Sequence, residues 1–183
     1  MKGALDVHRE LLAHDVPHEM VRLPRRATSG DDLPRLLALP RGGVSVHCYE
    51  VTRAEGAAFA TVLVPSGRVP DPAALLDALG ALAVSPARPD VVNAVTDYAA
   101  GLVGPVCLPP DVELLADSAL GESDVCYCTV GEGEVVLGIR TRDLLVATGA
   151  RVATLTGFGE AAEPARVLDL DAGRRDRSSR PAG

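Results

Sequence analysis

Residues 96–109 read TDYAAGLVGPVCLP: one charge, at Asp97, two glycines three residues apart, and two prolines. So many backbone-special residues with so little side-chain chemistry admit two readings. The plainer is a connector from a helix to a strand, with Gly101 and Gly104 supplying positive φ angles, and on the loop alone it explains the sequence better. The other is a ligand site made of main-chain N–H groups. Glycines let a ligand approach the backbone, Pro105 fixes the loop, and successive free N–H groups cradle an oxyanion or a carbonyl. A helix entering the loop presents its negative C-terminal end there, so its dipole gives no help.

Upstream, RPDVVNAVTDY (88–98) predicts the entering helix. DPAALLDALG predicts another, with Asp71 as N-cap, Pro72 at the first helical position and Gly80 just past the end. GVSVHCYEV (43–51) and AAFATVLVP (57–65) read as strands joined by a hairpin through TRAEGA, and LAVS as a brief strand. Residues 4–15 form an amphipathic helix on Leu5, Leu11 and Leu12, ended by Pro17, and PHEMVRL follows as a short strand. Thr28 and Asp31 or Asp32 offer N-caps for a helix running to about Leu39, with Pro34 confined to its first turn.

Downstream, VELLAD (112–117) and DVCYCTV (124–130) predict strands, and GEGE turns the chain into VVLGIR (135–140). Thr141 caps a helix that Gly149 stops, and RVATLT is a last strand. Hairpins with intervening helices, and no regular βαβ series or internal repeat, predict a single α+β domain over residues 1–156: a curved, mixed, barrel-like sheet flanked by helices. Residues 157–183 have few apolar positions and a Ser/Arg/Pro end, which predicts a disordered tail.

The chain has 183 residues, 47% of them hydrophobic, enough for an independent core. No stretch approaches the ~20 apolar residues of a membrane span, and the charged N-terminus does not read as a signal peptide. Cys48, Cys107, Cys126 and Cys128 sit mostly in apolar runs, as reduced core thiols do. A cytoplasmic protein is expected. The net charge of −7 argues against a general nucleic-acid binder, yet it is uneven. Residues 1–53 carry eight basic and seven acidic side chains, whereas 54–157 carry five and thirteen. Every basic residue except Lys2 is an arginine.

Side-chain chemistry is sparse. His47 lies in mid-strand and shares a face with Ser45, Tyr49 and Val51; such a histidine is more often structural, though it titrates near neutral pH. Cys126 and Cys128 share a face, but C-x-C in a strand is not a zinc knuckle, so no metal is expected. Cys107 lacks an evident base to make it a nucleophile. There is no G-x-S-x-G elbow, P-loop, dinucleotide fingerprint or H-E-x-x-H.

The order of these features over about residues 4–156 resembles the YbaK/prolyl-tRNA-synthetase editing-domain family. Its G-x-x-x-P loop is matched by Gly101 and Pro105 in GLVGP, following TDY where the family has a Thr-Gly-Tyr-like run. The strand ending in Asp117 and the closing unit from VCYCTV to RVATL also resemble the family's. Thr28 falls where the family has a threonine opening its second helix. The family's strand pattern V-x-K-T-L reads VSVHCYEV here, which puts His47 at the lysine position and Cys48 at the threonine.

The resemblance implies an aminoacyl-tRNA deacylase acting in trans on a mischarged tRNA, with the acceptor end as partner, no cofactor, no DNA and no membrane. An aminoacyl ester is already activated, so hydrolysis needs a held carbonyl and a positioned water or ribose hydroxyl. Backbone N–H groups of the loop set by Gly101, Gly104 and Pro105 would polarise the carbonyl, with His47 in the lysine's place. Leu102, Val103, Tyr98 and Thr28 would bind the substrate, the small and apolar loop shaping a pocket for a small side chain, and Arg22, Arg25 and Arg26 would meet acceptor-stem phosphates. Loop and histidine are expected to open into one principal cavity. Histidine is shorter than lysine and mostly neutral at pH 7, so a non-catalytic relative that binds a nucleotide, an amino-acid derivative or a protein is the alternative. The sequence carries no signal for the oligomeric state.

Overall fold

The computed structural model describes residues 1–157. The tail expected from residue 157 lies, beyond Gly157 itself, outside the described residues. The order is α1 (Ala4–Ala13), β1 (His18–Arg22), a 3-10 turn (Gly30–Asp32) running into α2 (Leu33–Leu36), β2 (Val44–Arg53), β3 (Gly56–Pro65), α3 (Pro72–Leu79), β4 (Ala83–Pro86) and α4 (Pro89–Thr96). Then come β5 (Glu113–Asp117), a 3-10 turn (Ser118–Glu122), β6 (Val125–Thr129), β7 (Val135–Arg140), α5 (Thr141–Thr148) and β8 (Arg151–Ala153).

The α+β class holds, but the strands form two sheets that do not close into a barrel. One is antiparallel, in the order β1-β7-β6. The other runs β4-β2-β3-β5-β8, antiparallel around β2 and parallel where β5 joins β3 and β8. They meet at Gly42–Gly43, where the Tyr127 N–H donates to the Gly42 carbonyl at 2.7 Å and Gly43 bridges Tyr127. That contact joins the two sheets, which share a common core.

Burial follows the sequence pattern. β3 is central and buried on both faces, as its near-continuous apolar run requires. Val44 of β2 and Leu63 of β3 join Val7, Leu11, Leu137 and Ile139 in the main core between the sheets. On the opposite face of the larger sheet, Tyr49, Val51 and Val62 pack beneath Leu75 and Leu79 of α3. That helix is punctuated as expected: Asp71 accepts from the Ala74 N–H at 2.9 Å, and Gly80 takes φ 58°.

Three local expectations are corrected. The helix expected to reach Leu39 is one 3-10 turn and one α-turn, because Leu37 and Leu39 already close on Leu33 and Pro34. Its cap is Ser29, which accepts from the Asp31 N–H, while Thr28 donates to Asp32 instead. Thr141 does not cap α5; it is the first helical residue, and its hydroxyl donates to the Ser123 carbonyl at 2.6 Å.

Candidate active site

The glycine loop begins where α4 stops. Thr96 folds its hydroxyl back onto the Val92 carbonyl at 2.7 Å and accepts from the Tyr98 N–H. Asp97 then takes φ 58°, a left-handed position that aspartate tolerates better than most side chains. Beyond it Gly101, at φ 84°, lies against the 28–32 segment so closely that a Cβ would sit 2.8 Å from the Thr28 carbonyl oxygen.

The hydrogen bonds of the loop decide where its N–H groups point. The Leu102 carbonyl accepts from the Gly131 N–H at 2.8 Å, and the Val103 carbonyl accepts from the Thr129 hydroxyl at 2.7 Å. In a trans peptide the carbonyl of one residue and the N–H of the next point in opposite directions. Both carbonyls are drawn to the end of β6, so the N–H groups of Val103 and Gly104 point away from it. Among the described residues neither has a hydrogen-bond partner, although Val103 is 2% exposed and Gly104 is buried. Unpaired N–H groups on buried residues are rare in folded proteins unless a ligand or water satisfies them. The Leu102 N–H is closed onto the Ala99 carbonyl.

Tyr98, expected among the substrate contacts, lies under the loop rather than facing outward. It is 0% exposed, and its hydroxyl donates to the Val106 carbonyl at 2.7 Å. Its ring fills the space where a Cβ on Gly104 would come within 3.2 Å. Tyr98→Phe should leave the Val106 carbonyl buried without a donor and lower stability by about 1–3 kcal/mol. A urea-unfolding midpoint unchanged from the wild type would refute that support.

His47 is half-buried in β2, paired with Val62, and its Nε2 is buried with no partner. Its face is shared with Tyr49 and Val51, opposite the face on which Val44 and Val46 pack with Val103 and Val106. Histidine and loop are joined instead through residues 28–32. Thr28 touches Gly101, and both its N–H and its hydroxyl donate to Asp32. The neighbouring Asp31 accepts from the Ser45 hydroxyl and, at 2.8 Å, from the Gly67 N–H. Arg22, Arg25 and Arg26 lie exposed on the strand of chain leading to Thr28, which is pinned to the β6–β7 turn by the Leu23 and Ala27 N–H groups.

Two cavities flank this chain of contacts. One of about 230 Å³ is lined by Gly43, Val44, Ser66, Arg68 and Cys126 at the junction of the sheets. The other, about 260 Å³, includes Pro105, Cys107, Glu10 and His14. Neither is lined by His47 or by Gly101–Val103, so the single shared cavity expected from the sequence is not formed by these two.

Electrostatics separate Asp32 from the histidine. Hydrogen bonds from the Thr28 backbone and hydroxyl hold the Asp32 carboxyl at about 2. Burial pushes the His47 imidazole below its ordinary value of 6.5, against the opposing pull of Asp31 and the Arg68 backbone. It is therefore neutral at pH 7. As pH falls past 6.5 the unfolded chain binds this proton before the folded one, so stability declines from there downward. His47→Gln should flatten that decline in urea unfolding between about pH 7.5 and about pH 5.5. Identical slopes in the two proteins would speak against a buried neutral ring.

Burial also raises the Cys48 thiol to about 12 and pushes that of Cys107 up, so neither is poised as a thiolate. Cys126 and Cys128 are buried free thiols of β6. The sequence pattern did not single out Thr129 and Gly131, because their bonds to the loop depend on a contact formed only in the fold. Among the described residues no helix is long and apolar enough to cross a membrane.

A model of the aminoacyl-tRNA editing domain matches residues 46–147, which include His47 and Gly101–Pro105 but not Thr28 or the arginines before it. The chain belongs to this family. No curated protein matches it in sequence. Among solved structures it is similar to hypothetical protein APE2540, at 24% identity and TM-score 0.72, covering 82% of this chain and 99% of that one. It is similar at 23% identity and TM-score 0.71 to a scaffold protein from epitope backbone grafting by computational design, covering 84% and 96%. A candidate trans-editing enzyme for prolyl tRNA synthetase is similar at 21% identity and TM-score 0.68, covering 82% and 92%. At these identities the likenesses speak for the fold.

Proposed function

We propose that this chain is a trans-editing deacylase that hydrolyses the ester of a mischarged tRNA bearing a small amino acid such as alanine, serine or cysteine. The observation that carries the reading is the pair of unpaired N–H groups on Val103 and Gly104, fixed in direction by the anchored carbonyls of Leu102 and Val103. Two such donors suit the oxygen of an ester carbonyl as it gains negative charge. Attack by water, directly or after the acyl group has passed to the neighbouring ribose hydroxyl, breaks the acyl–oxygen bond; the water oxygen leaves in the amino acid's carboxyl group and the proton returns to the ribose hydroxyl of the restored tRNA terminus. No protein nucleophile is required, which agrees with the Cys48 and Cys107 thiols being held in their protonated form.

Gly101, Gly104 and Pro105 set the loop in this reading, and the buried walls Leu102 and Val103 limit the side chain that enters, so that selection works by exclusion. Thr28 and His47 would meet the terminal ribose or phosphate, and Arg22, Arg25 and Arg26 the acceptor stem. Membership of the editing-domain family and the likeness to a candidate trans-editing enzyme support the assignment. The site of action would be the cytoplasm, where mischarged tRNA arises. The direct test is release of amino acid from a panel of mischarged tRNAs with and without the purified chain. Release no faster than in buffer across the whole panel would remove the deacylase reading.

A second reading has its own observation. His47 is neutral and partly buried where the family pattern has a permanent charge, which favours a relative that binds a nucleotide or amino-acid derivative without cleaving it. Saturable binding of charged tRNA with no release of amino acid would select it.

A further inference from the structure

We infer that Lys2, the chain's one lysine, is a positioning residue that holds the GLVGP loop in the shape its free N–H groups require. The inference rests on the deacylase reading. Lys2 is remote in sequence but meets the loop at both ends. Its ammonium donates to the Thr96 carbonyl at 3.2 Å, where α4 stops, and to the Cys107 carbonyl, just past Pro105. Its own N–H donates to the Asp97 carbonyl at 2.7 Å. The ammonium also lies 5.6 Å from the centre of the Tyr98 ring, the buried floor of the loop.

The close approach is built in. Gly131, which donates to the Leu102 carbonyl, has φ 88°, and a Cβ there would sit 2.2 Å from the Lys2 carbonyl oxygen. One glycine thus makes room for the lysine segment and anchors the loop. Cys107 sits at φ 59°, a position costly for a side-chain-bearing residue that persists only where the surroundings over-determine it. The lysine's bond to its carbonyl is such a constraint.

The direction of these bonds matters more than their number. Carbonyls of Thr96, Asp97, Val106 and Cys107 are all drawn beneath the loop, to Lys2 or to Tyr98. With both ends of the loop turned inward, the Val103 and Gly104 N–H groups between them face the other way. An ammonium suits the task because its three donors rotate to meet convergent carbonyls and a ring face, which a planar guanidinium meets less well.

The test compares wild type, Lys2→Met and Lys2→Arg in the full chain. Deacylation of mischarged tRNA should lose about tenfold in kcat with KM little changed in Lys2→Met, because misplaced donors weaken the transition state and not the capture of tRNA. Lys2→Arg should recover part of the loss. In amide NMR spectra, Gly101, Val103 and Gly104 should shift in Lys2→Met while the amides of α3 stay in place. A wild type inert on every tRNA would defeat the deacylase reading, and the amide shifts alone would then decide whether Lys2 shapes the loop. Unmoved loop amides overturn the inference. So does an unchanged kcat in folded Lys2→Met from an active wild type, which would reduce the lysine to a stabilising contact.

Discussion

Gly101→Val is expected to reduce enzyme-dependent deacylation by on the order of a hundredfold to a thousandfold, the range seen when an aligned donor to a developing oxyanion is lost. Two features of the backbone produce this. Gly101 has φ 84°, which a β-branched residue adopts only at a cost of about 1–3 kcal/mol. Its Cβ would also fall 2.8 Å from the Thr28 carbonyl oxygen, a main-chain atom that cannot swing aside. Either the 28–32 segment or the loop must move, and the loop carries the two unpaired N–H groups. The contact with Thr28 also brings a loss of stability. Activity must therefore be compared at equal folded fraction, judged by circular dichroism and urea unfolding. Gly101→Ala, with one methyl, should retain more of both. A folded Gly101→Val as active as the wild type would make the loop a connector and nothing more.

Much of this was legible in advance, for reasons that differ by element. α3 was readable because Asp71, Pro72 and Gly80 act locally, each on its own turn of helix. The β2–β3 hairpin was readable because alternation and a short polar turn are also local. The joining of two sheets was not, because it depends on Gly42 and Gly43 meeting Tyr127, a contact between distant segments that carries no periodic signal. The site divides the same way. Glycine spacing pointed to the loop, but the direction of its N–H groups depends on Thr129 and Gly131, and its floor on Tyr98. Lys2 carried no signal in the sequence, where its distance from the loop concealed its place beneath it. Asp31 and Asp32 read as helix caps; only the fold turns one toward Ser45 and the other toward Thr28.

His47→Lys is expected to raise deacylation or tRNA affinity at pH 7 by roughly one to two decades, the worth of a charge-assisted bond of about 1.5–3 kcal/mol where it is partly desolvated. In the wild type, burial holds the imidazole neutral at that pH despite the Asp31 carboxylate nearby, so the position supplies a hydrogen bond at most. A lysine reaches further along the same face and keeps its charge, with Asp31 beside it to offset part of the desolvation. The wild-type profile carries a second consequence. If the imidazolium contributes, activity should already fade as pH rises through values below 6.5, because the folded ring gives up its proton earlier than a free one. Rates must be corrected for uncatalysed ester hydrolysis, which rises with hydroxide, by a control without protein at each pH. The lysine variant should hold its enzyme-dependent rate from about pH 6 to about pH 8, while any imidazolium contribution in the wild type lies on the acid side of 6.5. A wild type equally active at both ends, with no gain from lysine, would mean that His47 does not act at the reacting ester. It would then serve the packing of β2 on the Asp31 turn, and the loop's N–H groups would carry the reaction without help from that strand.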